Sequence, residues 1–413
     1  MTIEDVILVP GDGGFYCDDQ RAIREGAVRD GLVYVGDPIT EGFSRIRMPA
    51  ECLTVLLRLS DGCTARGDAV SVTYGGVAGR DPRLDASQQC DVASRILGPW
   101  LLGRDVERFR PLCDELELLT DSSAGRPLHR ALQYGASQAL MSAAAHAHRR
   151  TVAEQVAHEH GLSPRWQMTK VCCQCGEERF ENVDKMIVRG ADVLPHGLIN
   201  HTETLVGSDG SKLTQYVQWV RDRVRQLRPE AKPTLHFDVY GTLGLVFGWR
   251  EPGRIVAFLS KLQEAAEPFP LQIEGAIDAG SAAAQLDAFI RLREARDRAG
   301  LTVRFIADEW CNTLEDVKRY AAAQAADMIQ IKTPDLGSLH RSIEAVLACK
   351  ASGMGSYLGG SCAETEWSAQ LCAQVAVATE PDQMLAKPGM GVDEGLMIVR
   401  NAMAQTIALA RSR

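Results

Sequence analysis

The sequence predicts a (β/α)8 barrel of the TIM type behind a smaller N-terminal α+β domain. Three observations predict it. From about residue 167 onward, short apolar strands alternate with amphipathic helices, a pattern that implies a parallel sheet with right-handed crossovers. At least five such units fit within the roughly 245 remaining residues, the scale of a closed barrel. Several of those strands end in charged or amide residues, and barrel enzymes gather their chemistry at the C-terminal ends of their strands. An open doubly wound sheet is the alternative, but no Gly-x-Gly-x-x-Gly follows an early strand to support it.

The expected boundary lies near residue 160, giving a capping domain at 1–160 and a barrel at 161–413. In the first part, Thr54–Leu59 and Ala69–Tyr74 are apolar or β-branched and end in turn residues, as strands do. Gly75, Gly76, Gly79 and Asp81-Pro82 mark a flexible loop, either a lid or a connection. Leu128–Ala147 is Ala-rich with spaced apolar residues and reads as a buried helix.

In the second part the expected strands are Thr234–Tyr240, Leu271–Gly275, Val303–Asp308, Met328–Lys332 and Ser356–Gly359. Leu213, Tyr216, Val217, Val220, Val224 and Leu227 fall at helical spacing, and Pro229 stops that helix. Ile255, Phe258, Leu259 and Leu262 repeat the spacing. Thr313 can cap a helix with Asp316 three residues on. Ser338 can cap another that closes at Gly353.

Composition excludes some functions. The chain has 413 residues and a formal net charge of -9. An acidic balance argues against a nucleic-acid surface, which needs clustered Lys and Arg. No apolar run approaches the roughly 18–20 residues of a membrane span. Met1–Asp5 lacks the basic start and apolar core of a signal peptide, so a cytoplasmic chain is expected. Of the twelve cysteines, Cys172, Cys173 and Cys175 cluster. No second Cys/His pair at zinc-site spacing follows, so reduced, packed thiols are expected.

The strand ends carry the chemistry. His236-Phe237-Asp238, Gln272-Ile273-Glu274, Ala307-Asp308-Glu309 and Gln330-Ile331-Lys332 each close a strand. Asp238, Glu274 and Asp308 then converge on one face, one βα unit apart. Three such carboxylates repel one another and need a counter-charge. A hard divalent cation such as Mg2+, with oxygen ligands, fits. Lys332 and Gln330 point to the same side of their strand, with Ile331 outward. A partly buried Lys332 near a cation has its pKa lowered and can act as a base. An ion pair with a neighbouring carboxylate is the other reading, and a metal-free Schiff-base lyase also uses such a lysine. His196, in Asp192-Val-Leu-Pro-His196, reads on its own as surface.

Longer stretches then point to a family. Gly14-Phe-Tyr-Cys-Asp-Asp-Gln20, Asn182-Val-Asp-Lys-Met186, Asp192-Val-Leu-Pro-His196, Asp238-Val-Tyr-Gly241, Ala307-Asp-Glu-Trp-Cys-Asn312, Gln330-Ile-Lys-Thr-Pro-Asp-Leu-Gly337, Gly359-Gly-Ser-Cys-Ala-Glu-Thr365 and Lys387-Pro-Gly-Met-Gly-Val-Asp-Glu394 occur in family order. Together they resemble methylaspartate ammonia-lyase, of the enolase superfamily. The resemblance implies an enolase-like fold, with a capping domain and a barrel. It implies elimination of ammonia from L-threo-3-methylaspartate to give mesaconate through an ene-diolate, in glutamate breakdown. It also implies a homodimer with magnesium and an activating potassium ion.

By the same resemblance Asp238, Glu274 and Asp308 match magnesium ligands, and Lys332 matches the base that takes the C3 proton. His196 matches the acid/base residue on the opposite face. Gln174, Gln330, Ser361 and Cys362 match substrate-binding positions, Ser361 replacing the usual Thr. The chain departs from the pattern at Thr73, where a substrate-contacting Gln is expected, and at Cys172, where an aromatic residue is expected. Gln174-Cys175-Gly176 replaces Gln-Ser-Gly. These departures touch specificity, so a lyase, dehydratase or racemase acting on another 3-substituted aspartate or related acid is the alternative.

Overall fold

The computed structural model describes residues 1–123 and 125–412. The N-terminal part is built on a three-stranded antiparallel sheet, with Arg47–Leu59 between Ile3–Asp18 and Thr64–Ala69. Leu53, Val55, Leu57 and Leu59 are buried, the period-two face of a half-covered strand. The helix Arg130–Ala147 lies across Thr64–Ala69. Gly135 and Gly67 permit the close approach, because a Cβ on Gly67 would meet the Gly135 carbonyl.

The expected strand Thr54–Leu59 is thus the second half of the central one. The expected strand at Ala69–Tyr74 is not formed beyond Ala69. Val70, Val72 and Tyr74 are nevertheless buried. Their apolar character serves packing between the two parts of the molecule, not a ladder. The segment runs to the barrel mouth, where Asp18 N donates to Thr73 O at 2.9 Å.

Among the described residues, eight parallel strands close a barrel, the eighth pairing with the first. In chain order they are Val171–Cys172, Val193–His196, Thr234–Asp238, Leu271–Glu274, Arg304–Ala307, Met328–Ile331, Gly355–Leu358 and Gln383–Leu385. The expected strands are the third to the seventh. The first and eighth escape the sequence because they span only two and three residues, too short for any period to register. The second, Val193–His196, is as long as four of those expected but carries Pro195, which argues against a strand.

The surrounding helices follow the expected patterns. Ser211–Leu227 and Pro252–Ala266 bury the spaced apolar residues. Thr313 and Asp316 form a reciprocal capping box. Ser338 occupies the N-cap of Leu339–Ala351 but makes no capping bond; its hydroxyl donates to Glu117 Oε1 at 2.5 Å instead. No helix among the described residues is long and apolar enough to cross a membrane.

The N-terminal part covers the C-terminal end of the barrel. Gly14 N donates to Ala363 O at 3.0 Å. Leu339 N donates to Ser137 Oγ at 2.8 Å, and Tyr134 Oη to Glu364 Oε2 at 3.0 Å. All twelve cysteines are free, and Cys172, Cys173 and Cys175 are buried. Burial pushes the Cys173 thiol up to about 12, the state of a packed, unreactive sulfur.

Candidate active site

Asp238 and Glu274 end the third and fourth strands, and Asp308 follows the fifth, so the three form one arc of the rim. All are buried. One oxygen from each lies within 4.8 Å of the others. Left-handed residues follow each of these strands: Tyr240 at φ 47°, Gly275 at φ 59° and Trp310 at φ 64°. His196, which closes the second strand, is at φ 59°. A side chain in that region is sparsely populated and persists where the surroundings over-determine it.

The arc is electrically incomplete. Burial, then repulsion from Asp308 and its neighbours, pushes the Asp238 carboxyl well above the usual range. Glu274 is raised in the same way, by burial and then by Asp238 and Asp308. Both shifts say that counter-charge is lacking. Three buried carboxylates offering hard oxygen ligands suit magnesium.

Glu274 is aimed from both sides. His236 Nε2 donates to its Oε2 at 2.7 Å, and the Gln330 amide donates to Oε1. Burial keeps His236 neutral, and its Nδ1 accepts from Gln383 Nε2 at 3.3 Å. That set of bonds selects the tautomer with the proton on Nε2.

Lys332 follows the sixth strand, and its Nζ lies 2.5 and 2.7 Å from the two Asp308 oxygens. Burial and Arg80 push its pKa down, but Asp308 and Glu309 outweigh them and the result is raised. The depressed pKa expected from the sequence therefore does not follow from burial alone. A dication on the same carboxylates would cancel the attraction that raises it.

The second and sixth strands are four apart in a ring of eight, so His196 and Lys332 face each other across the mouth. Burial, with Lys332 also opposing a charge, lowers the His196 pKa to about 4. Its Nδ1–H donates to Gly197 O at 3.0 Å, and its Nε2 lies 3.3 Å from Gln174 Nε2. Nε2 therefore carries a lone pair, 3.5 Å from Glu274 and 3.9 Å from Asp238. One cavity is lined by Thr73, Gln174, His196, Asp238, Gln330, Lys332, Ser361 and Cys362. Cys362 Sγ donates to Gln174 Oε1 at 2.6 Å.

Comparison with known proteins places this arrangement. The family model described as the N-terminus of methylaspartate ammonia-lyase matches residues 1–161, and that of its C-terminus matches 165–412. The chain belongs to the methylaspartate ammonia-lyase family. It is 46% identical to methylaspartate ammonia-lyase 2 of Carboxydothermus hydrogenoformans, over 100% of this chain and 99% of the relative. It is 44% identical to the Clostridium tetanomorphum enzyme over all of both chains.

Solved structures agree. The Citrobacter amalonaticus methylaspartate ammonia-lyase containing (2S,3S)-3-methylaspartic acid superposes with TM-score 0.96 at 44% identity, covering 100% of both chains. The magnesium complex of Clostridium tetanomorphum β-methylaspartase gives 0.93 at 43% identity, again over 100% of both. A muconate lactonizing enzyme from Pseudomonas fluorescens, at 15% identity and TM-score 0.65 over 92% of this chain and 87% of its own, shares the fold.

Within this family of carbon–nitrogen lyases, the two departures noted in the sequence differ in depth. Thr73 lines the cavity. Cys172 does not; it packs one layer below, its Sγ 3.7 Å from His236 Nδ1, in the barrel interior with Tyr357. Sequence reasoning missed Arg80, Glu309 and His236. Glu309 and His236 stood beside chosen ligands in strand-end motifs, and Arg80 stood in the glycine-rich loop. Only the second carboxylate in Asp308-Glu309 was a usable signal.

Proposed function

We propose that this chain eliminates ammonia from L-threo-3-methylaspartate to give mesaconate, with Lys332 as the base. The observation that supports it best is one cavity in which Lys332 and His196 face each other beside three buried carboxylates. Lys332 removes the C3 proton, and the electron pair moves toward the adjacent carboxylate. That pair then forms the C2–C3 double bond as the C2–N bond breaks and ammonia leaves. A magnesium ion held by Asp238, Glu274 and Asp308 would supply Lewis-acid stabilisation where negative charge develops on the substrate carboxylate.

His196 holds or accepts a proton at Nε2 on the face opposite Lys332. Gln174, Gln330, Ser361, Cys362 and Thr73 bind and orient the substrate around the reacting carbon. Purified protein with Mg2+ should convert methylaspartate to a product with the ultraviolet absorbance of an unsaturated diacid, and EDTA should stop it. No conversion with Mg2+ present sinks the substrate assignment. Survival of activity in EDTA, with trapping by borohydride, replaces it with a Schiff-base mechanism.

Thr73 favours a second reading, in which another 3-substituted aspartate or related acid is processed by elimination or proton exchange. It is shorter than the expected Gln and lacks an amide donor. A substrate panel with C3 exchange in deuterated buffer decides between them.

We further assign residues 1–160 to the capping domain and 161–413 to the barrel. The family resemblance supports a cytoplasmic homodimer, activation by potassium and a place in glutamate breakdown. Light scattering and assays in potassium against sodium salts test the second and third of these.

A further inference from the structure

The glycine-rich loop at 75–81 carries Arg80 into the barrel mouth. The loop is tied to both parts of the molecule: Asn312 Nδ2 donates to Ala78 O at 2.6 Å, and Arg130 N to Asp81 Oδ2 at 2.8 Å. The Arg80 side chain is only 1% exposed and lines the same cavity as Lys332. Its Nε donates to Asp335 Oδ2 at 2.7 Å. Neither terminal nitrogen makes a hydrogen bond, and neither does Glu309 Oε1. Nη2 lies 3.6 Å from Asp308 Oδ1, and Nη1 lies 3.9 Å from Glu309 Oε1.

A buried guanidinium with unfilled donors is costly unless something uses its charge. Here the charge faces Asp308, the carboxylate that also grips Lys332. Three carboxylates, Asp308, Glu309 and Asp335, are thus shared between one lysine and one arginine. Lys332 already pairs with Asp308 at 2.5 Å; were Arg80 absent, Lys332 alone would answer Asp308 and Glu309, and nothing would compete for that pair. Arginine suits the task because it stays charged and its planar fork reaches two acceptors at once.

We infer that Arg80 is a positioning residue for the base, delivered by the capping loop to share Asp308 and Glu309 with Lys332. The inference rests on the reading of Lys332 as the base.

The test measures C3 proton exchange in deuterated buffer and steady-state elimination, both with Mg2+, in full-length wild-type and variant enzymes. Wild-type exchange comes first: if methylaspartate neither exchanges nor reacts, the proposed function fails before Arg80 is at issue. Given an active wild type, Arg80→Gln should lower kcat and exchange together by about 100-fold, the scale of a misplaced catalytic group, with KM changed by less than about threefold. Added guanidinium should restore part of kcat. Asp335→Asn leaves the Arg80 charge in place but removes the carboxylate that anchors it, so a smaller fall of about tenfold is expected. It serves as the informative variant if Arg80→Gln does not fold. Unchanged kcat in both variants overturns the inference. So does a loss expressed only in KM or melting temperature without guanidinium rescue, which would make Arg80 a simple latch.

Discussion

Two buried lysines close to barrel strand ends look alike until their surroundings are compared. Lys387, two residues beyond the eighth strand, is fully buried and bonded to Glu364 at 2.7 Å and Gly359 O at 2.8 Å. Glu364 in turn accepts from Tyr134, Thr333 and Ser361 N. One cation meets one carboxylate, and every neighbour is matched. Lys332 instead lines a cavity and meets a carboxylate already contested by Arg80. Burial opposes charge in both, yet nearby anionic groups hold both pKa values above the ordinary lysine range. The direction of a pKa shift therefore does not distinguish the proposed base from a structural lysine. Competition for its partner, and access to the cavity, do.

The largest effect that could break this contrast is at Lys332. Lys332→Ala should lower kcat by about 10^3–10^4, at the upper range of general-base losses, with circular dichroism unchanged. Turnover within tenfold of wild type would remove it from the chemistry.

Next comes the arc that faces it. Glu274→Gln removes one of the three proposed ligand charges and should weaken Mg2+ binding and abolish nearly all activity. Calorimetry should show magnesium affinity reduced by at least about tenfold, in line with effects of weakened metal sites.

Lys387 should behave differently. Lys387→Met leaves Glu364 buried and unpaired, which costs about 3–5 kcal/mol of stability. Chemical denaturation should show that loss, and Lys387→Met with Glu364→Gln should recover much of it. The activity that remains in folded Lys387→Met protein should far exceed that of Lys332→Ala.

Gly275→Ala tests the backbone that sets the arc. The residue is at φ 59°, and a Cβ would sit 3.0 Å from Asp238 Oδ1. A stability loss of about 1–2 kcal/mol is expected, with weaker magnesium binding in titration. Wild-type affinity would mean that Asp238 tolerates displacement.

The smallest effect lies away from both lysines and separates fold from chemistry. The rings of His160 and His340 lie with centroids 5.2 Å apart, tilted by 31°. Burial, then His340, lowers His160 to about 4 from an ordinary 6.5. The unfolded chain binds the proton more readily, so stability should rise with pH from about 4 to about 6.5. Thermal melts should show this slope in wild type and a flatter one in His160→Gln. An unchanged slope would place the acid sensitivity elsewhere.

The sequence by itself determined the barrel's middle strands, the three strand-end carboxylates and the direction of Lys332. Strand period and strand-end position are local properties, and they are written in consecutive residues. The family motifs added His196, Gln174, Ser361 and Cys362, which local patterning would have left as loop. Only the tertiary structure decided the rest. It closed the ring through three strands that no local pattern revealed, and it set His196 opposite Lys332. It put Cys172 beneath the cavity while leaving Thr73 in its wall. It also brought Arg80 and Asp335, 255 positions apart in sequence, to 2.7 Å. The reason is physical. Burial and charge competition depend on neighbours supplied from every part of the chain, and no window of sequence contains them.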